Sequence, residues 1–228
     1  MILYYTPGTC ALGCMVLLRR TGVPFSVCRV DREQRQQAPY LALNPRGQVP
    51  AADVGGGRIL TENAAILLHV AARAGAGWLP KGGTPERDGI HFWLAWLASG
   101  FHVSFYPFFR PQRYLPDAAQ HEAVKEAAKL VIAGAYDTLE NHLTTREWMA
   151  GDDFSLLDPY VFAMTRWGIP VLGGIDRWPG VVAHRERMLA LDEVQWGLGV
   201  EQGEIVEADG AFAGHVPLPA LQAARSGR

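Results

Sequence analysis

Short β-rich runs and a helical run alternate at the start of the chain. Residues 2–6 (ILYYT) and 25–30 (FSVCRV) are rich in β-formers, and Ala11–Thr21 between them is apolar and helical, closed by Gly22 and Pro24. This pattern predicts a β-α-β unit.

A second group of elements follows. A short helical segment around Pro39–Leu43 precedes two brief strands, near Val49–Val54 and Arg58–Thr61, which flank a Gly-Gly-Gly turn. A further apolar helix over Asn63–Ala74 completes the order β-α-β-α-β-β-α. Such an order suits a small sheet with helices on its faces.

The periodicity then becomes helical throughout. The stretch GAGWLPKGGTPER interrupts it as a linker, and the chain after Gly197 is aperiodic and rich in Gly, Pro and Ala. Four helices are predicted between them, at Glu86–Phe109, Asp117–Leu143, Ser155–Trp167 and Trp178–Leu191. We therefore predict an α/β domain over 1–76, an all-α domain over 86–197, and a tail of uncertain order over 198–228.

Composition and charge exclude several classes of function. The chain has 228 residues, is 49% hydrophobic and carries a formal charge of −2 with scattered basic residues, so we expect no nucleic-acid partner. No run approaches the ~20 apolar residues that span a bilayer, and the N-terminus has the pattern of a strand rather than a secretory signal. We expect a cytoplasmic protein without a membrane partner.

The three cysteines lie near the N-terminus, and their odd number argues against a disulfide scaffold. Cys10 follows Pro-Gly at the predicted start of a helix, where amide groups and the helix dipole favour a thiolate. Cys14, one turn later, could resolve an oxidised Cys10, or it packs like Cys28 in the core. No His and Cys residues have metal-ligand spacing, so we expect no metal.

Two further motifs have the pattern of a peptide-binding site. Pro50 in GQVP stands at the start of a strand, where a cis bond would turn the main chain of Val49 outward. Glu62 and Asn63 precede an apolar helix, where free amides can bind a carboxylate and Glu62 an amine. Ordinary helix capping by Thr61 or Asn63 is the alternative.

Two motifs of the helical half carry polar residues. Small and polar residues recur at i, i+4, i+7 and i+11 of the long predicted helix, at Ala95, Ser99, His102 and Tyr106. This stripe favours a cleft position for His102, although a histidine among aromatic residues is more often packed in the core. Ser155 and Asp158 have the spacing of a capping box, which is a structural feature.

Together these motifs resemble a glutathione transferase of the bacterial beta class. YYTPGTCALG resembles its strand-turn-cysteine start, LNPRGQVPA its cis-proline loop, LTENAAIL its γ-glutamyl site and FHVSFYPFFRP its histidine-bearing helix. GDDFSLLDPYVFAMTRW is similar to the capping-box helix of the superfamily. The resemblance covers about residues 1–195.

The resemblance implies a thioredoxin-like N-terminal domain, an all-helical C-terminal domain, a homodimer, and glutathione as co-substrate without a metal. It makes Cys10 and His102 catalytic, with Ser99 reaching glutathione within or across the dimer. Glu62 and Asn63 would hold the γ-glutamyl end, and Arg35, with Arg32 close by, would face the glycyl carboxylate. The glutathione-binding residues that it implies are Arg35, Gln48, Val49, Pro50, Glu62, Asn63 and Ser99.

Two mechanisms and one rival function stay open at this point. Cys10 could hydrogen-bond the glutathione thiolate for attack on a small electrophile, or it could form a mixed disulfide and exchange thiols. The rival is a non-catalytic relative that binds a ligand or protein. Ala95, where relatives often carry asparagine, and the long tail favour the rival. The presence of Cys10, Pro50, Glu62 and His102 together disfavours it.

Overall fold

The computed structural model describes residues 1–218, and the chain forms two compact units. Unit 1 comprises Met1–Leu79 together with the chain from Leu189 onward, and unit 2 comprises Pro80–Met188.

The N-terminal part of unit 1 has the predicted order of elements. Its strands and helices are β1 (Ile2–Tyr5), α1 (Ala11–Thr21), β2 (Phe25–Arg29), α2 (Ala38–Leu41), β3 (Ala51–Asp53), β4 (Ile59–Thr61) and α3 (Asn63–Ala74). β1 pairs with β2 in parallel and with β3 antiparallel, and β4 is antiparallel to β3. This order confirms the predicted thioredoxin-like arrangement.

Helix α1 is buried on all sides over its first two turns, and its apolar residues suit that position in the core of unit 1. Eight consecutive residues, Ala11 to Leu18, are buried, and Gly22 ends the helix in the left-handed conformation. Two arginines occupy the last turn, where they complement the helix dipole. The helix therefore begins directly after Cys10, as the sequence predicts.

All regular elements that the structure describes in unit 2 are helices, which confirms the predicted all-helical domain. The helices are α4 (Pro85–Trp96), a π-helical turn (Leu97–Phe101), α5 (His102–Ser104), α6 (Tyr106–Phe109), α7 (His121–Leu143), α8 (Asp158–Leu172) and α9 (Pro179–Leu189). The core of this unit is aromatic: the ring of Tyr136 contacts Phe101 and Trp178, and its hydroxyl donates to the carbonyl of Thr165.

The single helix predicted over Glu86–Phe109 is interrupted. Because the π-helical turn is wider than an α-helical turn, it changes the angle between residues before and after it. Ala95 and Ser99 are exposed, whereas His102 and Tyr106 are half-buried. The four residues of the predicted stripe therefore do not share one environment.

The C-terminal part of the chain differs most from the sequence prediction. Beyond α9 it forms α10 (Asp192–Gln202), which packs on α1, and β5 (Phe212–His215), which pairs in parallel with β2. The sheet order is β4-β3-β1-β2-β5. The sequence predicts an all-α domain up to residue 197 and a tail of uncertain order over 198–228, whereas residues 189–218 group with unit 1. Residues 219–228 of the predicted tail lie outside the described part.

Aromatic packing and an ion pair explain why this segment is ordered. The ring of Phe212 contacts those of Phe25 and Trp196, at centroid distances of 5.4 and 5.0 Å. The Arg19 guanidinium pairs with the carboxylate of Asp209. Between residues 1 and 218, no helix is both long and apolar enough to cross a membrane.

Candidate active site

The turn before Cys10 is held by its own hydroxyl groups. Thr6 Oγ1 donates to the carbonyl of Val30 at 2.5 Å, and Thr9 Oγ1 donates to the carbonyl of Thr6 at 2.7 Å. Gly8 between them has a φ of 76°, which favours glycine. The Thr9 hydroxyl also accepts from the amide of Ala11, the first residue of α1. The turn thus positions Cys10 immediately before the first residue of α1.

Cys10 lies immediately before α1, with no acidic residue in the first turn of that helix. Cys10 is 3% exposed, and its carbonyl accepts a hydrogen bond from the amide of Gly13 at 3.0 Å. The dipole at a helix N-terminus favours an anion, so the position suits a thiolate.

The other two cysteines are in unreactive environments. Burial, together with the nearby Cys10, raises the pKa of the Cys14 thiol well above its usual value. Burial also raises the pKa of Cys28, to about 12. Both thiols are therefore protonated at neutral pH, and a resolving role for Cys14 is disfavoured because the thiolate is the nucleophile.

The loop before β3 contains the predicted cis proline. The Val49–Pro50 peptide bond is cis. The carbonyl of Gln48 accepts hydrogen bonds from the Tyr40 hydroxyl at 2.6 Å and from Asn44 Nδ2 at 2.8 Å. Two largely buried side chains thus fix the main chain at Gln48.

Arg35 lies next to this loop, and Gly47 makes the close approach possible. A Cβ added to Gly47, whose φ is 61°, would lie 2.8 Å from the Arg35 carbonyl oxygen, a distance that side chains do not tolerate. Burial raises the pKa of the Tyr40 hydroxyl to about 12, and the nearby charge of Arg35 partly opposes that rise. Arg32 is exposed on the segment before it.

Glu62 has an unusual conformation and an exposed cationic partner. Its φ is 70°, the left-handed region that non-glycine residues rarely adopt and that often marks a functional site. Its carboxylate pairs with the Arg46 guanidinium at 2.7 Å, and the two side chains are 59% and 62% exposed. This pair links the cis-proline loop to the start of α3.

Asn63 starts α3, but its side chain contacts α1. Asn63 Nδ2 donates to the carbonyl of Cys10 at 2.5 Å, and Oδ1 accepts from the thiol of Cys14 at 3.4 Å. Ligand binding by the Asn63 side chain is therefore unfavourable in this arrangement. The main-chain amide of Asn63, at the first position of the helix, is the group suited to a carboxylate.

His102 and Ser99 belong to unit 2. The His102 ring lies against Tyr106 and Trp167, at centroid distances of 5.3 and 5.2 Å, and Nδ1 is 3.4 Å from the Tyr160 hydroxyl. Burial, and secondarily the Arg110 charge, lowers the pKa of His102 to about 4, so the imidazole is neutral at neutral pH. The Ser99 hydroxyl donates to the carbonyl of Ala95 at 2.8 Å.

Ser155 and Asp158 form the contacts of a capping motif. The Asp158 carboxylate, which is fully buried, accepts from the amide and hydroxyl of Ser155 at 2.7 and 2.8 Å. It also accepts from the amide of Met149 and from His184 Nε2. The Ser155 contacts satisfy the start of α8 locally, and the contacts with Met149 and His184 join it to more distant segments of unit 2.

Sequence reasoning missed the contacts of Arg46 and Glu201. Arg46 lies within the quoted NPRG motif, but its partner Glu62 is sixteen positions away and no local pattern joins them. Glu201 lies in the last turn of α10, and its Oε1 accepts from the amide of Gly8 at 3.0 Å. It lies in the predicted tail over 198–228, where nothing in the sequence marks it.

Comparisons with known proteins agree with this arrangement. The family model of the glutathione S-transferase N-terminal domain matches residues 1–72, and that of the C-terminal domain matches residues 98–192. A glutathione S-transferase, GST-4.5, of Xanthomonas campestris pv. campestris is 34% identical over 202 residues, which are 88% of this chain and 98% of that protein.

Solved structures give the same result. A sphingomonad glutathione S-transferase complexed with glutathione matches with a TM-score of 0.79 and 32% identity, covering 89% of this chain and 99% of that one. A bacterial beta class glutathione S-transferase of Sphingomonas chungbukensis matches with a TM-score of 0.78 and 33% identity, covering 90% and 100%. The two domain models, in this order on this fold, lead to one conclusion: the chain belongs to the glutathione S-transferase family.

Proposed function

We propose that this glutathione S-transferase conjugates or exchanges glutathione with small electrophiles or disulfides, with Cys10 beside the glutathione sulfur. Glutathione is the co-substrate. One observation carries the proposal: the start of α3 is joined by direct contacts to Cys10 and to the cis-proline loop. Asn63 Nδ2 donates to the carbonyl of Cys10, and Glu62 pairs with Arg46 of the loop.

The γ-glutamyl end of glutathione is a zwitterion, and the start of α3 offers groups for both of its charges. The main-chain amide of Asn63 and the helix dipole suit the carboxylate, and the Glu62 carboxylate suits the amine. The Arg46–Glu62 pair is largely exposed, so it contributes at most ~1 kcal/mol and does not prevent Glu62 from binding an amine.

The remainder of glutathione is assigned by position along the cis-proline loop. The main chain of Val49 pairs with the cysteinyl part, between Gln48 and Pro50. Arg35 next to Gly47 is the cation for the glycyl carboxylate, because its main chain abuts the loop. Ser99 and the neutral imidazole of His102, which the resemblance places at the site, complete the proposal from unit 2.

Two chemical steps are compatible with Cys10 at the helix N-terminus. In conjugation, Cys10 hydrogen-bonds the glutathione thiolate, which attacks the electrophilic carbon and displaces its leaving group. In exchange, the Cys10 thiolate attacks one sulfur of a disulfide, the S–S bond breaks, and the second sulfur leaves as a thiolate. The protonated Cys14 does not compete as a nucleophile.

The assembly and location of the enzyme are also proposals. The family resemblance implies a homodimer, which would cover some of the large apolar side chains that are exposed on unit 2, among them Phe92 at 61%, Leu130 at 78% and Val131 at 61%. Light scattering that gives the monomer mass at micromolar concentration would exclude it. A cytoplasmic location is supported by the cysteine content, which suits a reducing compartment.

Glutathione-dependent conjugation of 1-chloro-2,4-dinitrobenzene, measured beside thermal unfolding, tests the function. We expect turnover only with glutathione, and a melting temperature that rises with millimolar glutathione because the ligand binds the native state. Glu62→Ala should remove most of that rise, whereas the exposed Glu207→Ala should leave it unchanged. If glutathione and S-methylglutathione leave the melting temperature unchanged, the non-catalytic alternative replaces this proposal.

A further inference from the structure

Both ends of the Asn63 side-chain amide have hydrogen-bond partners, at Cys10 immediately before α1 and at Cys14 within it. The side chain is buried, with the residue 4% exposed. The Cys10 carbonyl can only accept a hydrogen bond, so the Asn63 nitrogen must face it, and the oxygen must then face Cys14. The orientation of the amide is therefore fixed by its partners.

Cys14 must be a thiol for this arrangement to persist. Its S–H is the donor to Asn63 Oδ1, and its complete burial together with the nearby Cys10 raises the pKa of the thiol well above its usual value. A thiolate at Cys14 would face the Asn63 oxygen without a proton between them. The protonated form therefore stabilises the position of the Asn63 amide.

The carbonyl of Cys10 receives two donors from different parts of unit 1. The amide of Gly13 donates within the first turn of α1, and Asn63 Nδ2 donates from the start of α3, 53 positions along the chain. Since α1 and α3 pack on each other, these two hydrogen bonds fix the main chain of Cys10 relative to both helices.

We infer that Asn63 and Cys14 form a positioning pair that holds Cys10, and with it the reactive sulfur, at the start of α1. This inference rests on the proposed function, because it concerns the reactivity of Cys10. The Asn63 side chain acts on Cys10, and Cys14 acts on the orientation of Asn63.

Substitutions of Asn63 test the first contact. Asn63→Asp keeps the shape and an oxygen for Cys14 but replaces the donor to the Cys10 carbonyl, and Asn63→Ala removes both contacts. The rate of alkylation of Cys10 by iodoacetamide is followed against pH by peptide mass spectrometry. We expect the midpoint of this profile to move by ~0.5 pH unit or more in both variants, because the thiol moves relative to the helix N-terminus.

Substitutions of Cys14 test the second contact with a conservative rescue. Cys14→Ala removes the donor to Asn63, and Cys14→Ser restores a hydroxyl donor at nearly the same volume. We expect Cys14→Ala to shift the profile in the same direction as Asn63→Ala, and Cys14→Ser to return it towards wild type. Cys28→Ala is the matched control, because it removes a buried thiol of β2 that does not contact Asn63, and it should leave the profile unchanged.

Steady-state kinetics separate positioning from ligand binding. We expect Asn63→Asp to lower kcat by ~10-fold while KM for glutathione changes less than threefold, because misplacement of a reacting group costs rate. Wild-type alkylation profiles for both Asn63 variants and for Cys14→Ala would overturn the inference. A raised KM with unchanged kcat would also overturn it and make Asn63 a ligand-binding residue. The alkylation profile needs no glutathione, so it decides the inference even if the proposed function fails.

Discussion

The carboxylate of Glu201 accepts a hydrogen bond from the main-chain amide of Gly8, with 3.0 Å between Oε1 and the nitrogen. The end of α10 therefore contacts the turn that leads to Cys10. The neighbouring carbonyl of Val200 accepts from the Tyr5 hydroxyl, whose pKa burial raises to about 12, so that this donor keeps its proton. The C-terminal segment is thus part of the support of the candidate site.

Loss of the Glu201 carboxylate should weaken that support. Glu201→Ala leaves the Gly8 amide without this acceptor, and we expect it to lower the free energy of unfolding by about 1–3 kcal/mol. Glu201→Gln keeps an oxygen acceptor and should lose less. Urea denaturation measures both, with the exposed Glu207→Ala as control. Equal stability of Glu201→Ala and Glu207→Ala would contradict this account of the contact.

His102 should make the stability of the protein depend on pH. Its pKa is lowered from 6.5 to about 4, so the unfolded chain binds the proton more readily than the folded one. The stabilising contribution is complete above about pH 6.5 and is lost as the pH falls towards 4, at most about 3 kcal/mol. His102→Phe keeps an aromatic ring and removes the titration.

Measuring the wild type and His102→Phe at two pH values isolates the contribution of His102, because the carboxylates titrate in both proteins. We expect urea denaturation to show a smaller loss of stability between pH 7 and pH 4.5 for His102→Phe than for the wild type. Parallel losses would mean that the imidazole is solvated.

The strand β5 should contribute strongly to stability. Phe212 is fully buried and its ring packs on Phe25 and Trp196. We expect Phe212→Ala to lower the free energy of unfolding by about 3–5 kcal/mol, as for other buried aromatic residues. The neighbouring Ala213 is exposed, so Ala213→Ser should change it by less than about 0.5 kcal/mol. A loss below about 1 kcal/mol for Phe212→Ala would show that β5 is dispensable for folding.

Asp158 should be the most sensitive position of the capping motif. Its carboxylate accepts from Ser155, Met149 and His184 in a fully buried position. Asp158→Ala removes the acceptor for all of them, and we expect a loss of about 3–5 kcal/mol in urea denaturation. Ser155→Ala should cost only about 1 kcal/mol. A similar loss in both variants would assign the stability to the cap alone.

Much of the fold was predictable, because local patterns specify it. Helix α1 has its apolar face and its closing Gly22 within a single short segment, so periodicity and capping suffice to define it. Strand β5 has neither: the sequence FAGH is short and contains a glycine, and it becomes a strand because β2 offers an edge and Phe25 a packing partner. The π-helical turn at Leu97–Phe101 also lacks a local signal.

In the candidate site, too, some features follow from local sequence patterns and others depend on contacts between distant segments. The placement of Cys10 before a helix follows from Pro-Gly and the apolar run after it. The engagement of the Asn63 side chain by Cys10 and Cys14 does not, because it depends on how α1 and α3 pack. Contacts between distant segments define the details of the site, and a single sequence does not encode them as a pattern.

The structure of the complex with glutathione tests the central claim most directly. We predict that the glutathione sulfur lies within hydrogen-bonding distance of Cys10 Sγ, ~4 Å or less, or is joined to it in a mixed disulfide. The γ-glutamyl carboxylate should contact the main-chain amide of Asn63, and its amine the carboxylate of Glu62. A complex in which the glutathione sulfur lies against another side chain, with Cys10 remote from it, would contradict the account.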